Sequence, residues 1–290
     1  MMRIAGVVVL YNPPINVLPN INSYRNQVDT LFVVDNSEEQ DKELIQHICS
    51  LDHVTYIWNG ENLGIAQALN LGAALAMEHG YSYLLTMDQD STSSPNIIEE
   101  YCSVLSNSSF KNIGALAPYH HYTNYERPME SEKMREVFTT ITSGSLINLE
   151  VFKQVGPFIE KLFIDYVDFE YCLRLQIHGF KIIQLNNVFL YHQLGAIESR
   201  KILFRRVAVY HYPPVRVYYK FRNRLYVAVK YFIHYPFWSM QEFITAVNEL
   251  VKILFFEKNK YKTCKMAFLG LVHCAVNRFG KLSLVAEKRC

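Results

Sequence analysis

The first 88 residues alternate short apolar runs with helix-like segments, and no other feature of the chain constrains its fold as strongly. Residues 3–10 form a continuous apolar run, as expected of a strand that is buried on both faces. Similar runs follow at residues 31–34, 54–58 and 83–87, and helix-like stretches separate them. The order βαβαβαβ predicts a parallel sheet with right-handed crossovers.

The rest of the chain also mixes helices and strands. We expect a helix from Pro95 to about residue 106, a strand over 113–118 and a polar loop over 119–135. A strand over 140–149, a short helix over 149–155 and a helix over 167–178 should follow. We then expect strands over 181–185 and 188–191 around an Asn186-Asn187 turn, and helices beyond His192. The predicted fold class is α/β, with a mostly parallel central sheet flanked by helices in residues 1–200 and a helical region in residues 201–290.

Charge divides the chain at nearly the same place. Residues 200–290 carry 18 of the 29 Lys and Arg residues, 4 of the 27 Asp and Glu residues, and 18 of the aromatic residues. Basic charge mixed with aromatic side chains suits an anionic membrane surface, which is the partner that we expect for this region. The alternative is an ordinary basic face that packs on an acidic neighbouring domain. We expect no nucleic-acid partner.

The sequence indicates a cytoplasmic protein that binds the inner face of the cell membrane peripherally. Its six cysteines include no C-x-x-C pair, which fits reduced thiols. The first residues lack a signal-peptide pattern, and no window reaches the ~18 uncharged apolar residues of a spanning helix. A phosphate-binding loop and a dinucleotide fingerprint are missing, so neither kinase-type nor dinucleotide binding is indicated.

Two carboxylates, Asp88 and Asp90, flank Gln89 directly after the fourth predicted strand. In open parallel sheets, ligands gather at the carboxyl ends of the strands. Mg²⁺ and Mn²⁺ take oxygen ligands and often share them with substrate phosphates. The triplet therefore predicts a site for a divalent metal and a diphosphate. The alternative is a solvated junction between strand and loop.

Two further segments belong to the same predicted sheet edge. Asp35 ends the second strand, where it is placed to hydrogen-bond a nucleobase or ribose, or alternatively to cap the turn into the next helix. Asn62 and Gly64 precede a predicted helix, whose free N–H groups favour an anion. An N-x-G loop alone is weak support for such a site.

Candidate acceptor and catalytic residues come later in the chain. Residues 163–170 contain three carboxylates, Asp165, Asp168 and Glu170, near the start of a predicted helix. Group transfer to a hydroxyl needs a base that takes the proton of the acceptor, and a carboxylate across the pocket from the metal suits that role. The alternative for one or two of the three is N-terminal capping, because the helix dipole stabilises carboxylates there.

Five further residues have two open interpretations each. Ser143 and Gly144, at a strand start, either line an acceptor pocket or form an ordinary turn. Tyr219 and Arg222 either hold an acceptor or a phospholipid head group, or pack a helix. His192 ends a strand, and it is either a third metal or phosphate ligand or a structural residue.

Taken in order, these segments resemble the motifs of glycosyltransferase family 2, and within it those of the bacterial rhamnosyltransferases. The matching segments are VVVLYNP at residues 7–13, VDNS at 34–37, NLGIA at 62–66, DQDS at 88–91, TSG at 142–144, FIDYVDFEYCLR at 163–174, YHQLG at 191–195 and YYxxRN at 218–223. Each motif is modest alone. Six or more in the right order are specific for the family, and less specific for the sugar.

The resemblance implies a GT-A fold and an inverting single displacement. It implies that Asp35 contacts the nucleobase, that Asp88 touches ribose and metal, and that Asp90 binds the metal. Asp168 matches the general base of the family, although many relatives carry a Glu before this Asp where this chain has Val167. We assign further donor contacts to Tyr11, Asn12, Asn62, Gly64 and Gln89.

The sequence therefore predicts an inverting glycosyltransferase that uses Mg²⁺ or Mn²⁺. We expect it to move L-rhamnose from dTDP-rhamnose to a lipid-linked glycan acceptor, for a bacterial cell-surface polysaccharide such as an O-antigen or a capsule. The Q-x-x-R-W element of processive synthases is missing, which favours one addition per binding event. The alternatives are a UDP-hexose or UDP-galactofuranose donor, a nucleotidyltransferase, and a non-catalytic membrane-associated subunit that binds a nucleotide sugar.

Overall fold

A computed structural model describes residues 2–107, 110–122, 132–192, 197–202 and 205–283. Contacts within the chain divide it into two units. The first unit contains residues 1–159 and 168–193, and the second contains residues 160–167 and 194–290. The sequence predicts a single boundary at residue 200. The structure instead groups residues 160–167 with the C-terminal unit.

A sheet of nine strands, counted over the described residues, forms the centre of the first unit. The strands are β1 (Ile4–Leu10), β2 (Thr30–Asp35), β3 (Val54–Trp58), β4 (Tyr83–Asp88), β5 (Ser91–Ser93), β6 (Ile113–Tyr122), β7 (Met134–Glu136), β8 (Ser145–Asn148) and β9 (Lys181–His192). Their order is β3-β2-β1-β4-β8-β6-β9-β5, and β7 also pairs with β9. Strands β1 to β4 are parallel, which confirms the predicted α/β class.

Helices connect these strands. They are α1 (Val17–Tyr24), α2 (Lys42–Cys49), α3 (Ile65–Glu78), α4 (Ile97–Asn107), α5 (Leu149–Val155) and α6 (Val167–Ile177). Helix α3 approaches the sheet closely because Gly72 has no side chain. A Cβ atom at Gly72 would stand 2.4 Å from Cγ2 of Val7 on β1. Small residues on this face thus bring α3 against the central strand.

The other half of the sheet is mixed, and β9 joins its strands. Strand β8 pairs antiparallel with both β4 and β6, and β6 pairs parallel with β9. Strand β9 also pairs antiparallel with β5 and with β7. Segments that are distant in the sequence therefore meet on this one strand.

The turn predicted at Asn186-Asn187 is wrong, because both residues lie inside the continuous strand β9. The register between β9 and β6 shifts here, between Pro118 and Tyr119. Asn186 donates a hydrogen bond from its Nδ2 to the carbonyl oxygen of Glu132 at 2.8 Å. The turn-forming residues therefore mark a bulge in a long strand.

The loop predicted over residues 119–135 is also partly wrong. Strand β6 continues to Tyr122, and β7 begins at Met134. Residues 123–131 lie outside the described part of the chain. The polar side chains of residues 119–122 and 134–135 belong to pairing strands, so polarity alone does not distinguish a strand from a loop here.

After residue 193, the second unit contains two paired strands followed by helices. Its elements are β10 (Ile197–Ile202), β11 (Arg205–Tyr210), α7 (Pro214–Tyr231), α8 (Pro236–Phe256) and α9 (Lys260–Ala275). The helical structure predicted directly after His192 is wrong there, because β10 and β11 pair antiparallel. From Pro214 onward the helical C-terminal region is confirmed. Within the described residues, no helix combines the length and the apolar character needed to cross a bilayer.

Candidate active site

The carboxyl ends of β1, β2 and β4 bring predicted donor residues to one edge of the sheet. Asp35 ends β2 opposite Leu10 of β1, and Asp88 ends β4 opposite Val9 of β1. A single strand therefore separates the two carboxylates. This is the edge at which parallel α/β sheets bind ligands.

Asp35 is a buried carboxylate with a fixed orientation. Its Oδ1 accepts hydrogen bonds from the backbone N–H and the hydroxyl of Ser37, at 2.9 and 2.6 Å. Its Oδ2 accepts one from the hydroxyl of Tyr56 at 2.7 Å. Burial and this bond to Asp35 raise the pKa of Tyr56, so Tyr56 stays a donor. Because a carboxylate has about four lone-pair positions, Asp35 can accept one further bond from a ligand.

A pocket of about 220 Å³ opens beside Asp35. Asn12, Asp35 and Ser37 form a polar part of its lining, and Leu44 and Ile45 of α2 form an apolar part. The backbone N–H of Asn12 donates to the hydroxyl of Ser37 at 2.8 Å, which joins the end of β1 to the end of β2. A mixed lining of this kind suits a ring with apolar faces and a few hydrogen-bonding groups.

Gln89 joins the end of β4 to the end of β1. Its Oε1 accepts from the backbone N–H of Tyr11 at 2.8 Å, and its Nε2 donates to the Tyr11 carbonyl at 3.3 Å. The Nδ2 of Asn20 donates to the Gln89 carbonyl at 2.8 Å. The Gln89 amide is thus engaged with protein groups, whereas the side chain of Tyr11 is exposed. The Tyr11 ring is therefore more accessible to a ligand than the Gln89 amide.

Side-chain amides hold the loop before α3. The Oδ1 of Asn62 accepts from the backbone N–H of Gly64 at 3.0 Å. Asn36 donates from its Nδ2 to the Gly64 carbonyl at 3.1 Å, and Asn59 donates to Asn36 at 2.8 Å. These bonds place Asn62, Gly64 and the start of α3 next to the segment that follows Asp35.

Asp88 and Asp90 act electrostatically on the same buried neighbour. Tyr24 of α1 is fully buried, and its hydroxyl has no hydrogen-bond partner among the described residues. Burial raises the pKa of Tyr24, and the charges of Asp88 and Asp90 raise it further. The two carboxylates therefore concentrate negative charge at this edge. Two oxygen-donor groups fit a Mg²⁺ or Mn²⁺ ion that takes its other ligands from phosphate.

His192, the third predicted metal ligand, lies close to this pair in the sheet. Its backbone pairs with Ser91, the residue after Asp90. Its side chain falls outside what the structure describes. Among the described side chains, no three His, Cys, Asp or Glu groups form a metal site. A metal at Asp88 and Asp90 would thus need ligands from a substrate or from His192.

The segment before β8 supports the end of β4. The Oγ of Ser143 accepts from the backbone N–H of Asp88 at 3.1 Å and donates to the Oγ of Ser91 at 2.9 Å. The chain turns at Gly144, whose φ is +78°, so the strand predicted over residues 140–149 is in fact only β8. Ser143 and Gly144 are both buried. Ser143 therefore holds the backbone of Asp88, and the backbone N–H of Gly144 donates to the Thr86 carbonyl of the same strand at 2.7 Å.

Asp168 lies in the first turn of α6, and its Oδ1 accepts from the next backbone N–H at 2.9 Å. It is partly exposed and lines a small pocket of about 20 Å³ together with Thr142 and Ser145. The same short segment contains Ser143, which holds the backbone of Asp88. The first unit thus connects Asp168 to the end of β4 through residues that the sequence singled out.

Glu170 forms a buried ion pair with Arg174. It is fully buried, and its Oε2 lies 2.8 Å from Nη2 of Arg174. Arg174 also donates to the carbonyl oxygens of Val155, Gly156 and Pro157 at 2.7 to 2.8 Å. These bonds join α6 to the end of α5. Because the carboxylate is buried and paired, we leave Glu170 out of the proposed acceptor site.

Arg222 and Tyr219 pack the interior of the second unit. Arg222 is fully buried, and its guanidinium donates to the carbonyl oxygens of Gly280 at 2.8 Å and Leu162 at 3.0 Å. The hydroxyl of Tyr219 accepts from the backbone N–H of Leu282 at 2.7 Å. Helix packing accounts for both residues, so we also leave them out of the acceptor site.

Asp165 lies in a strained stretch of the second unit. Phe163, Asp165 and Tyr166 have φ values of 66°, 63° and 66°, a region that non-glycine residues rarely adopt. The Oδ1 of Asp165 accepts from Arg216 at 3.4 Å, and its buried Oδ2 has no partner among the described residues. Burial raises the pKa of Asp165, and the charges of Arg216 and Lys220 lower it in part. Strain of this kind clusters at functional sites.

Sequence reasoning missed three supporting residues, Ser37, Tyr56 and Tyr24. Ser37 stands in a matched motif but has no predicted role. Tyr56 had a signal in the sequence, because β2 and β3 are successive parallel strands. Tyr56 pairs with Val33, two residues before Asp35, and therefore shares a face of the sheet with that carboxylate.

Comparisons with known proteins agree with this architecture. The model of the family described as glycosyl transferase family 2 matches residues 7–158. The chain is also 29% identical over 284 residues to the dTDP-rhamnosyl transferase RfbF of Shigella flexneri. That match covers 92% of this chain and 94% of the relative.

Several solved structures have a similar fold. TarS 1–349 of S. aureus matches with a TM-score of 0.56 and 14% identity, over 96% of this chain and 73% of that one. Its complex with UDP-GlcNAc matches with a TM-score of 0.57 and 13% identity, over 94% of this chain and 73% of that one. GalNAc-T7 with UDP, GalNAc and Mn²⁺ matches with a TM-score of 0.57 and 13% identity, over 78% of this chain and 47% of that one. These likenesses show the GT-A fold.

The family match runs from β1 to just beyond α5, which is more than half of the chain. It includes the strand ends that carry Asp35 and Asp88, and the full-length relative extends the likeness through α6 and the second unit. The expected family and fold are therefore confirmed: this chain belongs to glycosyl transferase family 2, and it is a glycosyltransferase.

Proposed function

We propose that the protein is an inverting rhamnosyltransferase that moves L-rhamnose from dTDP-rhamnose to a hydroxyl of a lipid-linked glycan. The product would serve a bacterial cell-surface polysaccharide such as an O-antigen or a capsule. The observation that carries the proposal is the sheet edge, where Asp35 and Asp88 end parallel strands on either side of β1 and a pocket opens beside Asp35. Similarity to a dTDP-rhamnosyl transferase along nearly the whole chain supports the choice of donor.

The thymine base binds in the pocket beside Asp35. The ring N–H of thymine donates to the lone-pair position of Asp35 that Ser37 and Tyr56 leave open. Leu44 and Ile45 of the pocket lining contact the ring and its methyl group. Burying one such group contributes about 0.8 kcal/mol, so the apolar lining favours thymine over uracil several-fold. Donor contacts from Asn12, Asn62, Gly64 and the exposed Tyr11 complete this side of the site.

Asp88 and Asp90 would hold the divalent metal, with His192 as a further ligand. When bound there, the metal would supply positive charge that offsets the negative charge of the dTDP leaving group. Gln89 and Ser143 keep the end of β4 in position through their bonds to the Tyr11 and Asp88 backbones. These two side chains therefore act by positioning the carboxylates.

Asp168 is the general base. It takes the proton of the acceptor hydroxyl while the hydroxyl oxygen forms a bond to the anomeric carbon of rhamnose. The bond from that carbon to the diphosphate breaks, and dTDP leaves with the electron pair from the opposite face. The configuration at the anomeric carbon is thereby inverted. Asp165 belongs to the second unit, and its role as an acceptor contact stays a prediction from the sequence.

The acceptor is a lipid-linked glycan at the cytoplasmic face of the cell membrane. The basic, aromatic character of residues 200–290 supports this location. The missing Q-x-x-R-W element favours transfer of one sugar per binding event.

A panel of nucleotide sugars tests the proposal. The full chain is mixed with Mg²⁺ or Mn²⁺ and with dTDP-rhamnose, UDP-glucose, UDP-galactose or UDP-galactofuranose. We expect dTDP-rhamnose to raise the unfolding temperature most and to release dTDP, because a ligand stabilises the state that binds it. Faster release of UDP from a UDP-sugar would contradict the donor. Release of pyrophosphate from a nucleoside triphosphate would indicate a nucleotidyltransferase.

A further inference from the structure

Helix α8 is built the opposite way round from an ordinary surface helix. Of its 21 residues, only Ser239 and Ile253 are buried. Large apolar side chains are instead exposed at a spacing of three and four residues. We call this set the α8 stripe, and its members are Phe237, Met240, Ile244, Val247, Val251 and Leu254.

The acidic side chains of α8 turn away from the stripe and pair with α7. Glu249 lies 2.6 Å from Nζ of Lys220 and 2.9 Å from Nη2 of Arg224. Glu242 lies 3.3 Å from Nε of Arg224. The helix therefore exposes apolar groups and places its carboxylates inside. An exposed apolar patch of this length marks a surface that binds another apolar surface.

A basic cluster follows the stripe, at the end of α8 and the start of α9. Its exposed members are Lys258, Lys260, Lys262 and Lys265. Two aromatic side chains near it, Phe255 and Tyr261, are 72% and 85% exposed. The acidic residue of this connection, Glu257, is only 15% exposed and pairs with a histidine. The connection thus presents positive charge beside exposed aromatic rings.

We propose that the α8 stripe and this basic cluster bind the surface of an anionic lipid bilayer. The stripe enters the boundary between headgroups and acyl chains, and the lysines contact anionic headgroups. The inference deepens the proposed function and rests on its lipid-linked acceptor, since both place the protein at a membrane surface. It goes further by naming the side chains that make the contact.

Charge disfavours a second copy of the chain as the occupant. In a parallel pair of α8 helices, each basic cluster would lie against the same cluster of the other copy. In an antiparallel pair it would lie near residues 236–241, which include no Asp or Glu. Neither arrangement offsets the positive charge, whereas anionic headgroups do.

Vesicle flotation with the full chain tests the surface. The vesicles contain equimolar phosphatidylcholine and phosphatidylglycerol. We expect binding at low salt that weakens as salt is added. Ile244→Gln with Val251→Gln should weaken binding about tenfold, because two inserted apolar groups are lost. The matched control, Ile177→Gln with Val215→Gln, makes the same exchanges at positions that are each 38% exposed. The control should bind like the wild type.

The basic cluster is tested separately. Lys258→Gln, Lys260→Gln and Lys262→Gln in one chain should remove most of the preference for vesicles with phosphatidylglycerol over pure phosphatidylcholine. We expect that preference to fall at least tenfold, because each of the three lysines adds to the electrostatic attraction to an anionic surface. An unchanged preference would contradict the assignment of these lysines.

Two outcomes would overturn the proposal. One is no flotation of the wild type at low salt. The other is a dimer in light scattering that Ile244→Gln with Val251→Gln dissociates while no vesicle binds, which would make a second copy the occupant. Release of dTDP from dTDP-rhamnose in the presence of a water-soluble acceptor is measured on the same proteins. Vesicle binding without dTDP release would contradict the proposed function but not the proposed membrane-binding surface. Release of dTDP without vesicle binding would contradict the membrane-binding surface but not the proposed function.

Discussion

Asp35 and Asp168 differ in how much freedom each carboxylate keeps. Three hydrogen bonds from Ser37 and Tyr56 fix Asp35 in a buried position at the end of β2. Asp168 is partly exposed in the first turn of α6 and borders a small pocket. A fixed acceptor suits recognition of a base. A partly exposed carboxylate beside a pocket suits proton transfer, because a reacting hydroxyl can reach it.

Asp168→Asn tests this division of roles. The amide keeps the size of the side chain but cannot take a proton, so we expect transfer to slow by about 10²- to 10⁴-fold. The affinity for dTDP-rhamnose, measured by calorimetry with metal present, should stay near that of the wild type. A transfer rate near the wild-type value would contradict the base assignment, and a loss of donor binding would indicate a different role.

Gly144 supports the site through its backbone. Replacing Gly144 with Ala would place a Cβ atom 2.7 Å from Cγ of Pro118, in a residue with φ of +78°. We expect Gly144→Ala to lower the free energy of unfolding by about 2–4 kcal/mol, from strain and clash together. Gly179→Ala is the control, since Gly179 has the same φ and nothing within 4 Å of a Cβ. It should cost about 1 kcal/mol in urea unfolding, and equal losses would contradict the clash.

Residues at strand ends were predictable, whereas the buried pairings were not. Asp35 and Asp88 follow continuous apolar runs, and parallel strands must bring such ends together. Glu170 and Arg222 match family motifs equally well, yet their partners are Arg174 and distant backbone carbonyl oxygens. A motif does not show which side chains the tertiary structure will bury.

Helix α3 and strand β1 illustrate packing at the scale of elements. Gly72→Ala would raise helix propensity but bring a Cβ atom to 2.4 Å from Val7 Cγ2. We expect a net loss of about 1–3 kcal/mol in the free energy of unfolding, because the helix must move away from the sheet. In a double-mutant cycle, adding Val7→Gly, which also removes the Val7 Cβ that would stand at 2.7 Å, should make Gly72→Ala less harmful. If the two changes are additive, the close approach is not the cause.

Elements were predictable where the hydrophobic pattern is simple. The first four strands are apolar runs bounded by clear stop signals. Four of their eight predicted bounds match the structure, and the other four differ from it by one residue. Strand β9 contains Asn186 and Asn187, which are typical turn residues, but the bulge there accommodates them. The bulge could not be predicted from the sequence, because the bulge depends on pairing with β6 and on the carbonyl of Glu132.

At the scale of the whole molecule, the second unit relies on buried charge in place of a large apolar core around α8. Burial acts to raise the pKa of Glu249, but the charges of Lys220 and Arg224 outweigh it and lower the pKa below 4.5. A carboxylate whose pKa is lowered by folding stabilises the folded state above its unfolded pKa. This stabilisation is lost as the pH falls through the lower, folded pKa.

Glu249→Gln should therefore destabilise the second unit by about 1–3 kcal/mol at neutral pH, because two cations lose their partner. The difference from the wild type should shrink as the pH falls below 4.5. Urea unfolding followed by the fluorescence of Trp238 on α8 measures both. Glu150→Gln is the control, since Glu150 is 72% exposed in its pair with Lys153, and it should cost well under about 1 kcal/mol. A pH-independent loss would contradict the electrostatic explanation.

The position of β9 in the sequence sets an order of events during synthesis. Strands β1 to β4 are complete once residue 88 has left the ribosome, but β5, β6 and β7 gain their shared partner only when residue 192 emerges. At cellular translation rates this interval is on the order of ten seconds. Until β8 emerges, the edge of β4 has no strand beside it, and unpaired edges invite association with other chains. Nascent chains that end shortly before β8 should thus depend most on chaperones that shield strand edges.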